Sequence, residues 1–109
     1  MPRSLIVMAD GGSRGNPGQA AYGAVVFVGD KVLAEVSGKI GVATNNVAEY
    51  RGLIAGLKAA HEIDPHAHIE VRLDSKLVVE QMSGKWKIRH PEMRELALEA
   101  KKIHAHELL

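Results

Sequence analysis

Leu5 to Ala9 is an unbroken apolar run. A short run without alternation suits a central strand covered on both faces, as in a parallel or mixed sheet. Asp10 ends it, and Gly11-Gly12-Ser13-Arg14-Gly15-Asn16-Pro17-Gly18 reads as a glycine-rich turn. Ala20 to Val28 predicts a second strand, Gly29-Asp30-Lys31 a short turn, and Val32 to Ser37 an alternating third strand, so that the pair forms an antiparallel hairpin. Lys39 to Ala43 reads as a loop. The stretch from Thr44 to Gly52 then reads as a helix start, with Tyr50, Leu53, Ile54 and Leu57 as its apolar stripe and Gly52 and Gly56 as a smooth track for close packing. Asn46 and Glu49 have the spacing of a capping pair, and Thr44 and Asn45 are also cap candidates. The helix runs to about Ile63 and stops at Asp64-Pro65.

Ile69, Val71 and Leu73 alternate with Glu70, Arg72 and Asp74, a half-buried strand with Asp74 at its carboxyl end. A short helix follows to about Met82, buried through Leu77, Val78 and Met82, with Gly84 as its stop. Pro91 suits the first turn of a last helix, whose apolar face is Met93, Leu96, Ala97, Ala100 and Ile103. The order is three strands, helix, strand, helix, helix. It predicts a single α/β domain over residues 1–109, a mixed sheet of hairpin and parallel strands with flanking helices.

Composition narrows the chemistry. The chain has 109 residues, 46% hydrophobic and 25% charged, ordinary for one soluble domain. A net charge of +1 does not announce a nucleic-acid binder, so such binding would need a local patch. There is no cysteine, which excludes disulfides, thiolate metal sites and a cysteine nucleophile, and is compatible with a reducing cytoplasm. The amino-terminal apolar run is too short for a signal peptide or a membrane span.

Asp10 and Asp74 each close a predicted strand, and Glu49 lies in the first turn of the long helix, where a carboxylate also favours the helix dipole. Ligand chemistry in such sheets gathers at the carboxyl ends of parallel strands, and the amino end of the Glu49 helix can point to the same place. Three carboxylates brought together repel and need a positive offset. Oxygen-only ligation favours Mg²⁺ or Mn²⁺ over zinc, and two such ions about 4 Å apart can activate a water and stabilise a leaving oxygen in phosphodiester cleavage. The glycine-rich turn offers backbone N–H groups to an anion and serves equally as a plain connection. It is not a P-loop, since no Gly-Lys-Ser/Thr follows.

Asp10-Gly-Gly-Ser-x-Gly-Asn-Pro-Gly18, Thr44-Asn45-Asn46-x-x-Glu49 and Asp74-Ser75-x-x-Val78 together resemble the three signature blocks of type 1 ribonuclease H, in matching order and over essentially the whole chain. The stretch from Asp74 to Trp86 is similar to the bacterial and archaeal branch with a short connection, without the basic insertion that some members use as a handle. The resemblance implies a ribonuclease H-like fold and hydrolysis of the RNA strand of an RNA–DNA hybrid, leaving a 5′-phosphate and a 3′-hydroxyl. It implies Asp10, Glu49 and Asp74 as holders of two Mg²⁺ or Mn²⁺ ions. Asn16, Asn45 and Asn46 would bond to sugars and base edges in the wide minor groove, where the 2′-hydroxyl marks RNA. Backbone at Gly11, Gly12 and Ser13 would approach the RNA, and Ser75 would add a contact. Thr44 and Asn16 would hold a DNA phosphate. Trp86, with Lys85, Lys87 and Arg89, reads equally as a flank for the DNA strand and as a hydrophobic cap beside a solvated basic face.

The family pattern continues past the last helix with a further strand, a loop often bearing a histidine, and a helix carrying a fourth acidic residue. The chain ends at Leu109, and His104, His106 and Glu107 lie in the wrong element to substitute. Two expectations follow. The Ile69–Leu73 strand becomes a sheet edge, with apolar surface that a second copy or an exchanged strand could cover. The second metal is held weakly, so activity is low or needs Mn²⁺ or high metal. Competing readings are a hybrid-binding module without catalysis and a folded fragment that needs a carboxyl-terminal partner.

Overall fold

The computed structural model describes residues 4–73, 76–82 and 91–103. Its elements run β1 (Ser4–Arg14), β2 (Gly18–Val28), β3 (Lys31–Ala43), α1 (Asn45–Ile63), β4 (His68–Leu73), α2 (Lys76–Met82) and α3 (Pro91–Ile103). The sheet order is β3-β2-β1-β4, with β1 antiparallel to β2 and parallel to β4. The predicted element order and mixed sheet are both present, and β4 forms one edge of this four-stranded sheet.

Two strands run further than the hydrophobic pattern suggests. β1 does not stop at Asp10 but continues to Arg14, because β2 supplies ladder partners along the way: Asp10 faces Gly23, Gly11 faces Tyr22 and Arg14 faces Gln19. Pairing across the sheet overrides the weak strand preference of glycine. The turn shrinks to residues 15–17, with Gly15 at φ +76° and a cis Asn16–Pro17 bond. β3 likewise absorbs the expected 39–43 loop. It does so through a bulge: Lys39 faces Ala21 and Gly41 faces Ala20, leaving Ile40 as the extra residue and Gly41 at φ +74°.

One face of the sheet is the core. Leu5, Val7 and Ala9 of β1, Val26 of β2 and Ile69 and Val71 of β4 are buried under the stripe Tyr50, Leu53, Ile54 and Leu57 of α1, exactly the residues the helical period singles out. Val78 and Met82 of α2 and Leu96, Ala97 and Ala100 of α3 complete the cluster. The opposite face is open among the described residues. Its ladder rows read Glu35–Val25–Met8–Arg72 and Val32–Phe27–Ile6–Glu70, and Met8 is 47% exposed.

At two glycines α1 and β1 meet backbone to backbone. A Cβ at Gly11 would stand 2.3 Å from the Ala48 carbonyl, and one at Gly52 would stand 2.8 Å from the Asp10 carbonyl oxygen. Small-residue contact of this kind brings the backbones together, as the predicted glycine track requires.

Candidate active site

Thr44 is the N-cap of α1, in extended geometry, and its Oγ accepts from the Val47 N–H at 3.3 Å. Asn46 is therefore already helical and Glu49 lies in the second turn, which corrects the Asn46–Glu49 capping pair and the first-turn dipole role expected for Glu49. The physical reason is that the helix begins two residues earlier, where the Thr44 hydroxyl takes the Val47 N–H and the Thr44 carbonyl already accepts from the Ala48 N–H, leaving Asn46 inside the first turn. The Glu49 side chain is half-buried, and Oε2 is shielded from solvent.

Asp10 sits mid-strand on the open face of β1, not at a strand end, and is exposed. Its ladder neighbour on β2 is Gly23, which brings no side chain beside it. The Asp10 carboxylate accepts from the Gly11 N–H at 2.9 Å. The Gly11–Ala48 and Gly52–Asp10 approaches place the Asp10 strand segment directly against the Ala48–Gly52 turn of α1. Two of the three predicted carboxylates are thus carried on touching backbones. Asp74, the third, lies outside the described residues, directly after β4, which runs parallel to β1 with Leu73 beside Ala9. Among the described residues no group of three or more acidic or histidine side chains gathers.

Beside the carboxylates, three polar residues knit β1 to the start of α1. The Ser13 N–H donates to Asn45 Oδ1 at 2.8 Å, the Ser13 hydroxyl donates to the Gly15 carbonyl and lies 3.0 Å from Asn45 Oδ1, and the Asn45 N–H donates to Asn16 Oδ1 at 2.9 Å. Backbone donors fix which end of each amide is oxygen. The NH₂ ends of Asn45 and Asn16, each with two donors, therefore remain to offer to a ligand's oxygens. Thr44, Asn45, Asn16, Ser13 and Gly12 lie together where β1 meets the start of α1. The Ser13 N–H, however, is spent on Asn45 rather than held for an anion. Asn46 is half-buried in the first turn of α1. Ser75, Trp86, Lys85, Lys87, Arg89, His104, His106 and Glu107 lie outside the described residues.

A pair that the sequence reading missed stands behind Glu49. Tyr50, fully buried, donates its hydroxyl to Gln81 Oε1 of α2 at 2.7 Å, and Gln81 is itself only 4% exposed. Burial pushes the Tyr50 phenol up to about 12. A tyrosine in the middle of an apolar stripe is the signal that could have found it, because a buried phenol needs a polar partner.

A family model described as reverse transcriptase-like matches residues 8–107. The bifunctional protein Rv2228c of Mycobacterium tuberculosis is 56% identical over 101 residues, covering 91% of this chain and 28% of that protein. The solved amino-terminal RNase H domain of Rv2228c superposes with a TM-score of 0.91 at 53% identity, over 94% of this chain and 75% of that one. Ribonuclease HI of Halobacterium salinarum is 48% identical over 101 residues, 92% of this chain and 48% of its own length. LC11-RNase H1, solved in complex with an RNA/DNA hybrid, gives a TM-score of 0.86 at 38% identity, over 93% of this chain and 76% of that one. The chain thus spans less than half the length of these two curated relatives.

Proposed function

The chain belongs to the type 1 ribonuclease H family, and from that premise we propose that it is a divalent-metal-dependent endonuclease that hydrolyses the RNA strand of RNA–DNA hybrids. The observation that carries the reading is the seating of Asp10 and Glu49 on strand and helix backbones that touch at Gly11 and Gly52, next to the Ser13–Asn45–Asn16 network. The relative solved with a hybrid bound supports the substrate class.

The donor set fits a hard cation: Asp10 and Glu49 offer only carboxylate oxygens, and the chain has no cysteine to favour a softer metal. Asp10, Glu49 and Asp74 would hold Mg²⁺ or Mn²⁺, two ions in the full reading. Bound there, the metal supplies Lewis acidity and a nucleophilic water at neutral pH. The chain's own contribution is positioning. The outward NH₂ groups of Asn45 and Asn16 donate to acceptors on the sugar–phosphate and base edges of the minor groove, and the Thr44 hydroxyl donates to a phosphate. Gly11 and Gly12 let the strand approach the β1 backbone. A second copy of the chain against the β4 edge and the open sheet face belongs to the same reading, supported by the exposed Met8 row.

Cleavage of an end-labelled hybrid over Mg²⁺ and Mn²⁺ series, with single-stranded RNA and duplex DNA as controls, tests the proposal. Asp10→Asn is expected to lose at least about a hundredfold in rate, since several kcal/mol of metal-derived stabilisation depend on that ligand. Cleavage that survives in the variant removes Asp10 from the mechanism. Hybrid binding without cleavage at any metal concentration leaves a binding module instead.

A further inference from the structure

A second groove, of about 420 Å³, runs along the flank of α1 where the helix meets the end of β3. Lys39 and Ile40, at the β3 bulge, line one wall, and Arg51, Ile54 and Lys58 of α1 line the other. Among the described residues no carboxylate lines it, although the chain as a whole carries 13 acidic against 14 basic side chains. Three cations along one groove, with a single carboxylate, Glu99, reaching Lys58 from outside the lining, are a segregated patch, not the average surface. Lys39, Arg51 and Lys58 are exposed. Among the described residues only Lys58 is paired, with Glu99 of α3 at 3.3 Å, a solvent-facing contact that water weakens. The groove is also partly apolar, and Val42 on its rim is 69% exposed.

The groove does not stand alone. Its upper end includes Ala43 and Val47, the residues on either side of the Thr44–Asn46 turn. It therefore starts at the Thr44 cap and leads away from the carboxylates down the helix. Arg51 and Lys58 are two turns apart, about 10 Å along the axis, far enough to meet different phosphates of one strand. Cations over an apolar floor suit a sugar–phosphate backbone, whose charge meets the rim while its ribose carbons rest on the valine and isoleucines.

We propose that this Lys39–Arg51–Lys58 groove is a phosphodiester-backbone subsite, holding two or three phosphates of the nucleic acid beyond those reached at Thr44 and Asn16. The inference rests on the hybrid-nuclease reading for the identity of the polymer. The subsite contributes affinity and orientation, not sequence choice, because phosphate contacts position without reading bases.

Salt dependence of binding tests it. Anisotropy of a labelled RNA–DNA hybrid is followed between about 50 and 200 mM salt, in an Asp10→Asn background that leaves the hybrid intact. Each phosphate contact contributes about 0.9 to the slope of log K against log salt, so Lys39→Gln/Arg51→Gln/Lys58→Gln is expected to flatten the slope by about two to three, and each single variant by about one. Lys31→Gln/Lys101→Gln/Lys102→Gln removes the same charge from exposed positions outside the groove and is expected to leave the slope nearly unchanged. If the groove variant keeps the parent slope while the parent binds hybrid, the subsite is overturned and the nuclease reading stands. An equal loss in the control variant also overturns it, since net charge alone would then explain the effect. A parent that binds no hybrid overturns both.

Discussion

At the scale of single residues, the Tyr50–Gln81 hydrogen bond is the feature with the sharpest consequences. It joins the residue after Glu49 to the helix that follows Asp74, inside the core. Tyr50→Phe strands a buried amide oxygen and is expected to lower stability by about 1–3 kcal/mol in denaturant unfolding. Tyr50→Phe/Gln81→Leu, apolar at both ends, should regain most of that loss. The phenol also sets an alkaline limit. Its folded pKa, about 12, stands above the ordinary value of 10.0, so the folded state holds the proton more tightly. The stabilisation is complete below pH 10 and is lost as pH rises toward 12, by at most about 2–3 kcal/mol. Unfolding free energies of the parent and Tyr50→Phe measured across that window should converge as pH climbs.

At the scale of elements, the seating of α1 on β1 decides the relative position of Asp10 and Glu49. Gly11→Ala would drive a Cβ into the Ala48 carbonyl, so α1 must lift. A loss of about 1–3 kcal/mol or more is expected, which for a domain of this size lowers the melting temperature by at least roughly 4–8 °C. Gly12→Ala, with only Asn45 Oδ1 at 3.8 Å, should melt near the parent. The same elements show what could be read in advance. The α1 stripe and the β4 alternation were legible because period and burial coincide there. The glycine segment of β1 was misread as a turn because its strand character comes from β2 across the ladder, which no local pattern carries. The site divided in the same way: the motif spacing pointed to Asp10, Glu49 and the asparagines, while the choice of Thr44 among the three cap candidates and the Gln81 partner depend on three-dimensional placement.

At the scale of the whole molecule, the two faces of the sheet differ in kind. One is sealed by helices, and the other presents Ile6, Met8, Val25 and Phe27 beside the β4 edge. Light scattering over a wide concentration range is expected to show mass rising from 11.8 kDa toward twice that value, and Met8→Lys should hold the chain at the lower figure. A parent that stays monomeric throughout removes the second copy from the reading. The glycine seat has one more consequence. Because α1 and β1 meet through main chain at Gly11 and Gly52, beside Asp10 and Glu49, the local spacing there is set by backbone contact rather than by the aliphatic side chains further along the helix. Lineages can exchange leucine for isoleucine or valine throughout the interior while the acidic pair keeps its separation, so drift in the core and constancy of the chemistry can proceed independently.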